Sequence, residues 1–278
     1  MIHLKNMSMK KSVKKKFQDK IWKFYEKNKR DTLPWRKNIT PYRIVVSESM
    51  LQQTQVARVE QYFRRWIKKY PTWSSLARAR QSDVLALWQG LGYNSRALRL
   101  HALSVIVNEQ YKGRIPHDDI SLLKLPGIGP YTKGAIQSFA FDMKDVFIET
   151  NIRTVFIYEF FPHEDEVQDK DILSLIEQTL PLENFREWYW ALMDYGAYLK
   201  KEGVVTHRKS KHYKKQSKFE GSKRQIRSGV LKYFLENKEC SKEKLKKLFP
   251  DERLSSVLKD IEKEGFIYSD EDNFYIRN

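Results

Sequence analysis

The stretch Leu122-Leu-Lys-Leu-Pro-Gly-Ile-Gly-Pro-Tyr-Thr-Lys-Gly-Ala-Ile136 constrains this chain more than any other. Apolar residues precede Pro126 and a helix pattern follows Tyr131, so two helical segments must be joined by a tight turn. Gly127 and Gly129 give that turn its backbone freedom and let the main chain come close to a ligand. The helix start that follows points free N–H groups outward, which suits a phosphate oxygen. A lone Gly-x-Gly says little, but Leu-Pro-Gly-Ile-Gly between two helices is far more specific.

The surrounding pattern is helical from Val13 to about Lys201. Phe17, Ile21 and Phe24 stripe one segment; Val56, Val59, Phe63 and Trp66 stripe another that stops at Pro71. Val84, Leu87 and Trp88 repeat the pattern, and Val146-Phe147-Ile148 is too short to establish a sheet. Residues 13–201 therefore read as an all-α domain. Residues 202–224 read as a basic linker. Residues 225–278 resume the pattern in three short helices, the last closed by Gly265 in the C′ position. Phe266-Ile267-Tyr268 and Phe274-Tyr275-Ile276 then flank a polar turn, a hairpin signal that completes a small α/β winged-helix-like module. Such modules bind DNA or contact protein.

With 278 residues, 41% hydrophobic and 13% aromatic, the chain can bury a core, and wholesale disorder is excluded. No apolar run is long enough for a membrane span, and the Lys-rich start lacks the apolar core of a secretory signal. The single cysteine, Cys240, excludes a disulfide framework or an all-cysteine metal site, so an intracellular protein with no metal is expected. The net charge of +17 makes nucleic acid the default partner. Charge can also serve solubility alone. The run from Lys200 to Arg224, with only Glu202 and Glu220 as acids, is either a solvated tether or a phosphate-contacting one.

Three further blocks carry a resemblance. They are Leu33-Pro-Trp-Arg36 with Pro41-Tyr42 and Val46-Ser-Glu-Ser-Met-Leu-Gln-Gln-Thr-Gln-Val56; Gly90-Leu-Gly-Tyr93; and Ile148-Glu-Thr-Asn151. Together with the glycine turn, and in this order, they resemble the adenine glycosylase branch of the helix-hairpin-helix DNA glycosylases over about Phe17 to Lys201. The resemblance implies a two-lobed helix-hairpin-helix glycosylase domain, a double-stranded DNA partner carrying a mismatched or oxidised base pair, and a monomer. The carboxy-terminal part shows no clear match to the domain with which that family reads 8-oxoguanine.

Base excision makes physical demands that these residues can meet. A base must be flipped out at a cost of a few kcal/mol and the gap filled. By resemblance, Gln53, Thr54, Leu91 and Tyr93 would fill it, with core packing the alternative for Leu91 and Tyr93. Breaking a purine glycosidic bond needs a proton for the base and an anion near the sugar cation, which two carboxyls supply. Glu48 matches the general acid, in an apolar helix that would raise its pKa. Tyr131 matches a position beside the flipped nucleotide where lyase members carry lysine, which implies a monofunctional enzyme. Lys133 reads as a phosphate contact or a solvated lysine. Trp35, Arg36 and Leu51 match the base pocket.

Three departures qualify the resemblance. Glu149 stands where the family has aspartate, one methylene longer, and by resemblance would stabilise the oxocarbenium ion, with Asn151, which keeps the family residue, in support; a helix-start carboxylate is the alternative reading of Glu149. Trp190 replaces a Gln or Glu that bonds the adenine edge, and an indole cannot read that edge in the same way. Lys200 stands where the first cluster cysteine would be, so the family's iron–sulfur cluster is expected to be absent, with the basic linker taking over its role near DNA. The expected function is hydrolysis of adenine opposite guanine or 8-oxoguanine. The alternatives are a glycosylase for another base, such as thymine opposite guanine, and a catalytically silent DNA-binding protein.

Overall fold

The computed structural model describes residues 9–206, 209 and 218–277, so residues 207, 208 and 210–217 of the basic linker lie outside the described residues. Helices α1 (Lys11–Asn28), α2 (Pro34–Lys37), α3 (Pro41–Leu51), α4 (Val56–Lys69), α5 (Trp73–Ala77), α6 (Gln81–Trp88) and α7 (Ser95–Gln110) come first. They are followed by α8 (Asp119–Leu123), α9 (Pro130–Phe141), α10 (Thr150–Phe160), α11 (Asp169–Thr179) and α12 (Phe185–Lys201). The carboxy-terminal segment adds α13 (Lys223–Asn237), β1 (Glu239–Ser241), α14 (Lys242–Leu248), α15 (Leu254–Lys263), β2 (Ile267–Ser269) and β3 (Asn273–Ile276). No described helix is long and apolar enough to cross a membrane.

The chain forms two compact units. The first holds the described residues of 1–48 and 116–214, the second those of 49–115 and 215–278. In the first, α1 presents Phe17, Ile21 and Tyr25 along one face, four residues apart, as helical periodicity requires. These pack with Trp188 of α12 and Phe156 of α10, Phe17 lying 5.4 Å from Phe156 and 5.9 Å edge-on to Trp188. Phe147, in extended chain between α9 and α10, stacks on Tyr189 at 4.1 Å. Burying side chains of this size contributes roughly 1.5–3 kcal/mol each, which is what fixes α12 against α1 and α10.

In the second unit, α4 buries Val59, Phe63 and Trp66 and ends at Lys69, two residues before Pro71. Trp66 meets Trp88 of α6 edge-on at 5.4 Å. α13 also contacts α6, with Val230, Leu231 and Phe234 on its buried face. The three carboxy-terminal helices lie where the periodicity puts them, and Gly265 takes φ +82° after α15. The expected two-stranded hairpin is a three-stranded antiparallel sheet of order β1-β3-β2, with Cys240 opposite Phe274 and Tyr268 opposite Tyr275. β1 is three residues long with one apolar side chain, too short to show alternation in sequence.

Candidate active site

The site is built on α3 of the first unit. Ile44, Val45 and Val46 of this helix are buried, and so is Glu48, only 4% exposed. Burial pushes the Glu48 carboxyl up to about 7. The Tyr131 hydroxyl works against that rise, the Glu149 charge adds to it, and Arg36 opposes it. Tyr131 reaches Glu48 because Pro130 starts α9, placing Tyr131 in its first turn. Its hydroxyl donates to Glu48 Oε2 at 2.5 Å. Burial and the two neighbouring carboxylates hold the Tyr131 phenol well above its ordinary value, so it remains a donor.

Glu149 is the N-cap of α10, and its side chain folds back onto the helix start. Asn151 donates its backbone N–H to Glu149 Oε2 at 2.6 Å and its Nδ2 to Oε1 at 3.2 Å. The Asn151 Oδ1 in turn accepts from Lys200 Nζ at 2.7 Å. Lys200 is an exposed residue whose amine turns back onto the protein; loss of water around it lowers its pKa, the Glu149 charge raises it, and Arg153 lowers it again. Glu149 thus combines a capping role with a place beside Glu48, and the longer arm is held in by both Asn151 donors.

A second layer surrounds Arg36, in the short helix α2. Its guanidinium gives Asp194 two bonds, of 2.8 and 2.9 Å. The Trp190 ring lies 4.9 Å from the same guanidinium. Trp190 and Asp194 are one turn apart on α12, so one helix face grips Arg36 by stacking and by charge. Asp194 also accepts from the backbone N–H and Nε of Arg30. Trp35 is buried nearby in sequence, and Leu51, at the end of α3, is half-buried.

The glycine turn is as the sequence requires. Gly127 has φ +80°, a conformation that side chains resist. Gly129 is extended at the N-cap of α9, and a Cβ there would meet none of the described residues within 4 Å. Lys133 is not solvated. Its amine sits 2.6 Å from Asp145 and 3.2 Å from Asp119, because it lies on the α9 face that packs on the segment before Phe147.

The second unit carries the two turns proposed to enter the duplex. Gln53 and Tyr93 both adopt positive φ, +54° and +48°, and Tyr93 is exposed. Thr54 is half-buried, and its hydroxyl donates to the Gln52 carbonyl at 3.2 Å. Leu91 is 5% exposed and packs as a core residue, since the turn folds it inward. Arg96 holds both turns. Its guanidinium donates to the carbonyls of Ser49, Met50 and Gln52 on one side and of Leu91 and Gly92 on the other. Sequence reasoning missed Arg96 and Asp194. An acid inside the apolar run Trp190–Ala197 was a signal for Asp194; for Arg96 there was none, because its partners are backbone carbonyls and the Thr54 hydroxyl, more than forty residues away.

An iron–sulfur cluster of the kind the resemblance raises needs several thiolates. The chain has one cysteine, Cys240, buried on β1 of the second unit, and Lys200 is engaged with Asn151. These residues do not fit such a group.

Comparison with known proteins places the chain in a family. Residues 46–218 match the family model for HhH-GPD superfamily base excision DNA repair protein. An adenine DNA glycosylase of Buchnera aphidicola (subsp. Baizongia pistaciae) is 35% identical over 182 residues, covering 65% of this chain and 52% of that one. One from Mycolicibacterium smegmatis is 38% identical over 176 residues, covering 63% and 60%. The chain therefore spans little more than half the length of these relatives. A thermostable thymine-DNA glycosylase of known structure superimposes with a TM-score of 0.59 at 28% identity, over 67% of this chain and 87% of that one. A trapped endonuclease III–DNA covalent intermediate gives 0.59 at 19% identity, over 68% and 87%, a likeness of fold.

Proposed function

Because the chain belongs to the HhH-GPD superfamily of base excision DNA repair proteins, we propose that it is a monofunctional DNA glycosylase. On this reading it hydrolyses the N-glycosidic bond of adenine mispaired with guanine or 8-oxoguanine in double-stranded DNA. The observation that carries this is a buried carboxyl, Glu48, poised near neutrality beside a second carboxylate, Glu149. Two acids with different environments can take the two roles that base release needs. Glu48 gives its proton to the base as the glycosidic electrons leave with it. Glu149 stabilises the cationic sugar until water adds at C1′.

Tyr131 in place of a lysine leaves no amine at that position for a Schiff base, so base release is not coupled to strand cleavage there. Gly129 fits the same reading: among the described residues nothing requires a glycine at this position, and a phosphate backbone against the start of α9 would. The relatives named as adenine DNA glycosylases support adenine as the base. We take the enzyme to work as a monomer without a cluster.

A second reading, thymine opposite guanine, is favoured by Trp190. Its ring is packed on Arg36 and offers no pair of edge-reading groups. The likeness to a thymine-DNA glycosylase points the same way. Single-turnover assays on duplexes with A opposite 8-oxoguanine, A opposite guanine and T opposite guanine separate the two. Alkali-dependent cleavage at the adenine strand supports the first reading; release of thymine alone supports the second. Silence on all three, with duplex binding intact, leaves a DNA-binding protein without chemistry.

A further inference from the structure

A primary amide has one accepting end and one donating end, so whatever holds one end decides what the other meets. In Asn151 the accepting Oδ1 is held by the Lys200 amine at 2.7 Å, which turns Nδ2 toward Glu149 Oε1. The flipped amide would set Oδ1 against the carboxylate, oxygen against oxygen. An ammonium on Oδ1 forbids the flip and polarises the amide, strengthening its donation to Glu149.

The reach of Lys200 is built into the packing of α12 on α10. Gly196 lies one turn before Lys200 on the same helix face. A Cβ at Gly196 would stand 2.3 Å from the Asn151 carbonyl oxygen, so the two helices can approach this closely only at a glycine. Arg153, the other cation felt at Lys200, is bound by Asp169 through two bonds of 2.9 and 2.7 Å. Lys200 is left as the group on the amide.

We propose that Lys200 is a positioning residue for base release: it locks the Asn151 amide so that side chain and backbone of Asn151 together hold the Glu149 carboxylate. This rests on the reading in which Glu149 stabilises the sugar cation. It gives Lys200 a task that a cysteine in the same place could not perform, since a thiol is a weak, uncharged donor on a much shorter arm.

The test compares wild type with Lys200→Met, Lys200→Gln, Asn151→Ala and the Lys200→Met/Asn151→Ala pair. Under single turnover with saturating enzyme, Lys200→Met should slow base release about tenfold while duplex Kd stays within about twofold. Lys200→Gln, which keeps an N–H donor, should recover part of the rate. In the Asn151→Ala background, Lys200→Met should cost nothing further. Independent, multiplying losses would overturn the proposal, as would a loss confined to Kd, the signature of a phosphate contact.

A readout free of activity completes the test. The side-chain amide resonances of Asn151, assigned with Asn151→Asp in the DNA-free protein, should shift in Lys200→Met and exchange faster with solvent. Lys200→Gln should show a smaller change, and it serves if the methionine variant fails to fold. Unmoved resonances overturn the lock even if the wild type proves inactive. An inactive wild type with moved resonances removes the glycosylase reading and leaves the lock standing.

Discussion

The Tyr131 hydroxyl donates to Glu48 Oε2 at 2.5 Å, joining the first turn of α9 to α3 across 83 residues of sequence. The bond favours the charged carboxylate, whereas burial favours the neutral acid, and burial wins.

Tyr131→Phe removes the interaction that lowers the Glu48 pKa and leaves the burial that raises it. The alkaline limb of the pH–rate profile for base release, set near 7 by Glu48, should therefore move to higher pH in this variant. A limb that stays in place, or moves down, contradicts the assignment of Glu48 as the acid.

Glu48 also leaves a mark on stability. Its folded pKa lies above its unfolded value of 4.5, so the native state binds the extra proton and stability falls as pH rises between 4.5 and about 7. At about 1.4 kcal/mol per pKa unit, that penalty is roughly 3 kcal/mol once Glu48 is charged. Glu48→Gln escapes it. Denaturant unfolding should show the variant gaining on wild type at pH 8 relative to pH 5, and an equal difference at both values contradicts the raised pKa.

The two glycines of the hairpin turn should separate folding from binding. Gly127→Ala forces a side chain into φ +80° and should cost about 1–2 kcal/mol of stability. Gly129→Ala meets no atom of the described residues within 4 Å and should melt within a few degrees of wild type, yet bind duplex at least tenfold more weakly. Melting curves paired with duplex titrations read both.

Arg96→Met should be the most damaging substitution in the second unit. It strands the carbonyls of two turns at once, and losing bonds to a buried charged donor costs at least about 3 kcal/mol. Thermal melts measure the loss. A change below about 1 kcal/mol would mean that the turns at Gln53 and Tyr93 hold themselves.

The helices and the glycine turn were legible because their signals are local. Periodicity marks α1 and α4, Pro71 closes off α4, and Leu-Pro-Gly-Ile-Gly sits where α8 meets α9. Glu48 was legible for a related reason: a lone acid in an apolar helix must be buried, and burial sets its pKa. What stayed hidden depends on partners distant in sequence. Arg96 looks like any surface arginine until two turns converge on it, and Lys133 looks like a free cation until Asp119 and Asp145 are seen around it. Leu91 shows how a turn residue can point inward, and β1 exists because β3 offers it an edge.

The central claim, that Glu48 delivers the proton that releases adenine, is tested most directly by one measurement. Single-turnover adenine release from a duplex with A opposite 8-oxoguanine is followed from pH 5 to 9 for wild type and Glu48→Gln. The account predicts a wild-type rate that falls above about pH 7 and a loss of at least a thousandfold in Glu48→Gln with duplex binding intact. Release by Glu48→Gln at a wild-type rate would contradict it.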